Sequence, residues 1–226
     1  MDDISRRLRP RPIPLLPIAN RGSQLGVGAD SLKANLSEVC RAIEHLEPAN
    51  PVLGLRHRTN VFALGATRFC VLAHDPLRFA CAAQTQPSLV IPFRGRFRFT
   101  VAGQQFLATG GRTAFWWSGD ALRGELGKGS ALILLPEPAR LRAAANVAED
   151  ISPQATDLGL SRVVPFSFDR ESPRAPALAR LLEEMGRSLE RPELASLLGL
   201  EDLFYRWMAD ILKPPVNAGR ARPHPE

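Results

Sequence analysis

The sequence of 226 residues predicts a mainly β chain with helices at its C-terminal end. Three observations carry that reading. From Ser88 to Leu135, short apolar or alternating stretches are separated by Gly95, Gly103, Gly110, Gly111, Gly119, Gly124, Gly127 and Gly129, a spacing that suits a meander of short strands closing on itself as a small barrel. Upstream, Pro51 to Thr85 holds further strand-like segments with turn residues between them. Beyond Pro136 the hydrophobic period lengthens from that of a strand to that of a helix.

The opening MDDISRRLRPRPIPLLPIAN places prolines where an export signal needs a continuous apolar segment, so residues 1–28 read as a basic, Pro-rich, flexible tail. Ser31 to Leu46 puts Leu32, Leu36, Val39, Cys40, Ile43 and Leu46 on one face at helical spacing, with Asp30 or Ser31 as N-cap. Glu47-Pro48 ends that helix, because proline disfavours the α conformation of the residue before it. Strands follow over Val52–Arg56, Thr59–Leu64, Arg68–Ala73 and Leu77–Ala83, with turns at Gly65 and Asp75-Pro76. Residues 29–160 then hold the first helix and the barrel.

Inside the glycine-punctuated run, Leu89, Ile91, Phe93, Phe97, Phe99 and Val101 alternate with Arg94, Arg96, Arg98 and Thr100, predicting one apolar and one cationic face. Ala102-Gly103-Gln104 is a hairpin turn, and Thr113–Trp117 is a further strand. Pro138–Val147 reads as a short helix and Val163–Phe168 as one more strand. Two helices close residues 161–213. The first opens at Ser172-Pro173 and aligns Leu178, Leu181, Leu182, Met185 and Leu189. The second, about Pro192 to Lys213, aligns Leu200, Leu203, Phe204, Trp207, Ile211 and Leu212, and Pro214-Pro215 stops it. Residues 214–226 read as a linker-like tail.

Composition narrows the function. A net charge of +6 invites a nucleic-acid reading, but many of the arginines lie in the two tails and none of the basic clusters is interleaved with aromatics as a single-strand surface requires. A solvated basic surface is the stronger reading, and no direct nucleic-acid contact is expected. No stretch approaches the length of a membrane span. Three cysteines without a C-x-x-C pair argue against a zinc knuckle or a disulfide framework and fit a reducing cytoplasm. Cys70 and Cys81 can face each other across a hairpin at His74-Asp75-Pro76, although buried apolar thiols are the stronger reading.

A metal-dependent barrel enzyme needs several imidazoles on its inner wall. Of the four histidines, His45 falls on the predicted helix and His224 in the tail, which leaves His57 and His74, for which exposed or turn positions are the stronger expectation. No G-x-S-x-G elbow and no phosphate-cradling loop is present. Neither a catalytic residue nor a cofactor is therefore expected. The remaining feature is an apolar interior, in which Phe79, Ile91, Phe97, Phe99 and Trp116 are expected to line a ligand pocket and Arg112 to orient an anionic group. Adjacent strand positions cannot both face inward, so one of Trp116 and Trp117 belongs outside the barrel.

The order of these segments resembles the N-terminal sensor domain of AraC-type transcriptional regulators. The stretches that carry the resemblance are LGLRHRTNVFALGATRFCVLAHDP, SLVIPFRGRFRFTVAGQQFLATGGRTAFWWSGDALRGEL, ALILLPEPARL and GLEDLFYRWMADILKP. It covers about Ser31 to Pro214. The resemblance implies a cupin-like double-stranded β-helix, or jelly roll, without metal histidines, followed by a helical pair that mediates dimerisation. It further implies a role in sensing a small molecule, and a homodimer or a partner regulator chain as the assembly. Leu200, Leu203, Phe204, Trp207 and Ile211 are the residues on which such a dimer would rest. The family's helix-turn-helix units have no counterpart here, so their DNA-binding residues are carried onto no position. Two other readings stand beside this one: a cupin-type enzyme using His57 and His74, and a protein-interaction module whose barrel is filled.

Overall fold

The computed structural model describes residues 22–147, 160–165 and 199–212, together with Leu16 and Glu184. The predicted helix opening at Ser172, apart from Glu184, and the tail beyond Leu212 lie outside these residues. Of the tail expected over residues 1–28, Gln24–Val27 is instead a strand paired with Arg56 to Thr59, and Leu16 is buried in the core.

Two antiparallel sheets face each other. Their strands are β1 (Gln24–Val27), β2 (Ile43–Pro48), β3 (Arg56–Leu64), β4 (Thr67–His74), β5 (Leu77–Cys81), β6 (Ser88–Arg94), β7 (Arg96–Val101), β8 (Gln104–Thr109), β9 (Thr113–Trp117), β10 (Leu122–Leu126), β11 (Gly129–Leu135) and β12 (Arg162–Pro165). The large sheet runs β1-β3-β4-β11-β6-β9-β12 and the small one β2-β5-β10-β7-β8. Strands β4 to β11 therefore interleave as β4-β11-β6-β9 over β5-β10-β7-β8, which is a jelly roll. Among the described strands only β3–β4 and β7–β8 join as hairpins within one sheet, so the expected meander is replaced by a chain that crosses between sheets at nearly every turn. The β7–β8 turn has positive φ at both Ala102 and Gly103, the backbone that suits a two-residue hairpin to the twist of its strands.

Three helices complete the described chain: α1 (Ala29–Leu36), α2 (Pro138–Val147) and α3 (Leu200–Leu212). Helix α1 is shorter than predicted. Its N-cap is Gly28, at φ 93, and no side chain caps it. It ends where the Ser37 amide and hydroxyl both donate to the Ala34 carbonyl. The segment from Ile43 instead forms β2 against β5, with a bulge between Ile43 and His45. That bulge spaces Ile43 and Leu46 by three residues while both turn inward, and so imitates a helical period.

The large sheet is buried on both faces. Phe69, Val71, Leu89, Ile91, Trp116, Leu132 and Leu134 face an outer core shared with Leu141 of α2 and with Phe204, Met208 and Leu212 of α3. Cys70, Leu72, Phe97, Phe99, Phe115, Trp117 and Ala131 meet in an inner core between the sheets. The single apolar face expected from Leu89 to Val101 is thus two faces. The chain changes sheets at Gly95, φ 96, and Leu89 and Ile91 face the helices while Phe97, Phe99 and Val101 face the inner core. Two outward arginines of the small sheet meet acids: Glu125 Oε2 lies 3.1 Å from Arg98 and Oε1 3.6 Å from Arg78, whose other neighbour is Glu47 at 3.9 Å. The cationic face is a solvated ladder of exposed pairs, each contributing little.

Helix α3 docks on its own barrel. The Phe204 ring meets Phe69 edge-on at 5.2 Å. The Tyr205 hydroxyl accepts from the Glu137 amide at 2.8 Å and from Thr67 Oγ1 at 2.9 Å. Arg140 of α2 reaches Glu201 at 2.6 Å and Asp202 at 2.8 Å. Leu200, Phe204 and Ile211 are buried in this contact, and Trp207 packs partly against it. Of the five residues expected at a dimer contact, only Leu203 stands largely exposed, at 51%. The apolar stripe is consumed within the chain because a two-sided sheet needs a cover on its outer face. Phe204→Ala should therefore lower stability by about 3–5 kcal/mol, read as a fall in the urea midpoint, whereas Leu203→Ala on the same helix should change it by no more than about 0.5 kcal/mol.

Candidate functional site

An internal cavity of about 80 Å³ lies in the inner core. Strands β4, β5, β6, β7, β10 and β11 form its walls through Leu72, Phe79, Val90, Phe97, Phe99, Leu122 and Ala131, with Trp117 of β9 beside them. The segment after α1 closes it: Leu36, Val39, Cys40, Ile43 and Leu46 all reach its lining. Besides the thiols of Cys40 and Cys81, its polar lining residue is Ser88.

The six residues expected at a ligand site divide. Phe79, Phe97 and Phe99 line the cavity. Ile91 and Trp116 are buried on the far side of the large sheet, in the outer core. Arg112 is exposed in the turn between β8 and β9, away from the inner core. Of the adjacent tryptophans, Trp117 is the inward one, and its indole N–H donates to the Asp120 carbonyl at 2.7 Å. Parity alone left that choice open. The lining of the segment Leu36–Leu46 was hidden by its helical reading. Phe79 owes its position to Gly124, its cross-strand partner: a Cβ at Gly124 would lie 2.0 Å from the Phe79 ring.

One end of the inner core is polar. His57 of β3 and His74 of β4 are paired in strand register and are both fully buried, contrary to the exposed or turn positions expected. Gly26 of β1 makes the room, since a Cβ there would lie 2.3 Å from the His57 ring. His74 Nδ1 lies 2.9 Å from the Asp75 carbonyl, and its ring is 5.5 Å from Phe97. Neither nitrogen of His57, nor Nε2 of His74, has a hydrogen-bond partner among the described residues. The next residue, Asp75, turns the chain from one sheet to the other. It accepts from Arg56 Nε at 2.7 Å and Nη2 at 3.2 Å, and Lys128 stands 3.7 Å away. The expected hairpin at His74–Pro76 is thus a corner between sheets. It leaves Cys70 paired with Val61 and Ile133 in the large sheet, apart from Cys81 in the small one.

A third group lies in the cavity wall. Cys40 Sγ is 3.5 Å from Cys81 Sγ. The hydrogen bond with the Cys81 thiol holds the Cys40 thiol below its usual range against the opposing effect of burial, and a weaker bond with the Ala42 backbone acts in the same sense. The same contact, with burial, pushes the Cys81 thiol up. Cys70, fully enclosed, is pushed up to about 12 by burial alone. Among the described residues no group of three or more His, Cys, Asp or Glu side chains stands close enough to hold a metal ion.

Comparison with solved structures sets this fold beside the AraC-like transcriptional activator CuxR. The two superpose over 87% of this chain and 73% of CuxR, with a TM-score of 0.61 at 11% identity. Two further solved structures overlap smaller shares. An HTH_3-family transcriptional regulator from Vibrio cholerae shares 9% identity over 36% of this chain and 51% of its own, at a TM-score of 0.31. An RmlC-like cupin from Shewanella frigidimarina shares 16% over 40% and 81%, at 0.30. No protein-family model matches the sequence, and no curated protein matches it significantly. The fold, a jelly roll with a C-terminal helical cover, is thus shared with that activator. No helix among the described residues is long and apolar enough to cross a membrane.

Acid should loosen this structure through the histidine pair. Burial is the main cause that draws His74 down to about 4 from its ordinary 6.5, and burial lowers His57 as well. The unfolded chain therefore binds more protons than the folded one between those limits. Stability is full above about pH 6.5 and falls as the pH drops toward 4, by about 3 kcal/mol for His74 alone. Urea midpoints measured across that window should fall steeply for the natural protein and less steeply for His74→Gln. An equal slope in both would assign the acid sensitivity elsewhere.

Proposed function

We propose that this chain is the effector-sensing domain of a transcriptional regulator, acting in the cytoplasm. The observation that carries the reading is the AraC-like fold shared over 87% of the chain. The cavity supports it by position, being enclosed between the sheets and closed on one side by the Leu36–Leu46 segment. The reading is non-enzymatic, because the groups that face the cavity offer thiols and one serine among apolar walls.

The same cavity defines what such an effector must be. About 80 Å³ is near half of the roughly 150 Å³ apolar cavity that takes up benzene, so an effector larger than a few heavy atoms must displace part of the wall. The part to move is the stretch of residues 37–42 between α1 and β2, since it belongs to no strand of either sheet. An apolar body is required, since burying an unpaired polar group there costs several kcal/mol. A second reading, a protein-interaction module with a filled barrel, is favoured by the small size of the cavity alone.

A thermal-shift screen of small aromatic and aliphatic compounds, followed by native mass spectrometry, separates the two. The sensing reading expects at least one compound bound one to one with a raised Tm, since a ligand that binds only the folded form must stabilise it, and expects that shift to vanish when Ala131→Phe fills the cavity. No retained compound and no shift across the panel would favour the interaction module.

A further inference from the structure

We propose that Cys40 and Cys81 form a reversible intramolecular disulfide that closes the Leu36–Leu46 segment onto the barrel. The two sulfur atoms are 3.5 Å apart and belong to segments already held side by side. Ile43 is in register with Cys81, and the Ala82 amide donates to the Ala42 carbonyl at 2.8 Å. Bridging them requires the sulfurs to approach from contact distance to a covalent bond of about 2.05 Å, a movement that side-chain rotation in the turn after α1 can supply.

The two thiols are not equivalent. Cys40 is half-buried and reachable, whereas Cys81 is buried. The contact with Cys81 Sγ and, more weakly, the Ala42 backbone favour the Cys40 thiolate. This is the arrangement of an attacking cysteine beside a resolving one. With a hydroperoxide as oxidant, the Cys40 thiolate attacks one peroxide oxygen. The O–O bond breaks, the sulfur is oxidised to a sulfenic acid, and the departing hydroxide takes up a proton as water. Cys81 sulfur then attacks Cys40 sulfur, the S–O bond breaks, and the hydroxyl leaves with the Cys81 proton as a second water. In total two thiols and one hydrogen peroxide become one disulfide and two waters, and a dithiol reductant reverses the change. Cys70, enclosed in the large sheet, takes no part.

The bridge spans 41 positions of chain and ties the turn after α1 to the end of β5. Because both sulfurs lie in the cavity lining, oxidation fixes the wall that the proposed sensing role requires to move. That consequence rests on the sensing reading, whereas the disulfide does not.

The test is thiol counting on the intact protein after treatment with hydrogen peroxide, followed by alkylation under denaturing conditions and peptide mapping. The expected result is a fall from three free thiols to one, with the peptides of Cys40 and Cys81 joined, restored to three by dithiothreitol. Cys70→Ala should still lose two thiols. Cys81→Ala should form no internal bridge and should instead trap dimedone at Cys40. Amide hydrogen exchange across residues 37–43 should slow in the oxidised protein. Three thiols persisting after treatment, a bridge that involves Cys70, a bridge only between molecules, or exchange unchanged by oxidation would each overturn the proposal. Failure of the compound screen would leave the bridge standing and remove only its role in sensing.

Discussion

Burial of β4 and β11 on both faces is the constraint on which the remaining architecture depends. Their runs Phe69-Cys70-Val71-Leu72-Ala73 and Ala131-Leu132-Ile133-Leu134-Leu135 have no solvated side, so each needs two partners. The small sheet supplies one. Helices α2 and α3 supply the other through Leu141, Phe204, Met208 and Leu212. The terminal helix is thus an integral layer, held in place by the Tyr205 hydroxyl and the Arg140 ion pairs at its first turn. Most of its apolar stripe is spent on the barrel.

The β-rich barrel and the helical cover were legible in the residue pattern because strand alternation and glycine turns are local signals. Pro138–Val147 is the clearest case, matching its predicted limits. What the pattern could not show was which sheet each strand joins. Leu89 and Phe97 share a parity on paper, yet Gly95 sends them to opposite sides of the large sheet. The continuous apolar runs of β4 and β11 are the signal that could have exposed two cores, since a strand with one wet face alternates. The β2 bulge hid the cavity cap by imitating a helix.

The candidate site was half legible. Phe79, Phe97 and Phe99 follow from strand parity, and all three line the cavity. Trp117, Cys40 and Cys81 needed the fold, because each depends on a contact between distant segments. The histidines are the sharper lesson. Turn residues around His74 suggested a wet position, but the turn is a corner between sheets, and Gly26 hollows a place for His57 beside it. Composition could count imidazoles but could not find that two of them face each other out of water.

The interleaving of the strands also sets the order in which this protein can become stable. β11 is the last strand of the jelly roll in sequence, yet it lies in the middle of the large sheet between β4 and β6. Until it arrives, β4 and β6 have no common neighbour and neither core can close. Contacts that distant along the chain are slow to form, so the emerging polypeptide exposes β4 and β6 until β11 has been made. The barrel is therefore completed by insertion at its centre, and a chain that ends before Leu135 has no smaller fold to fall back on.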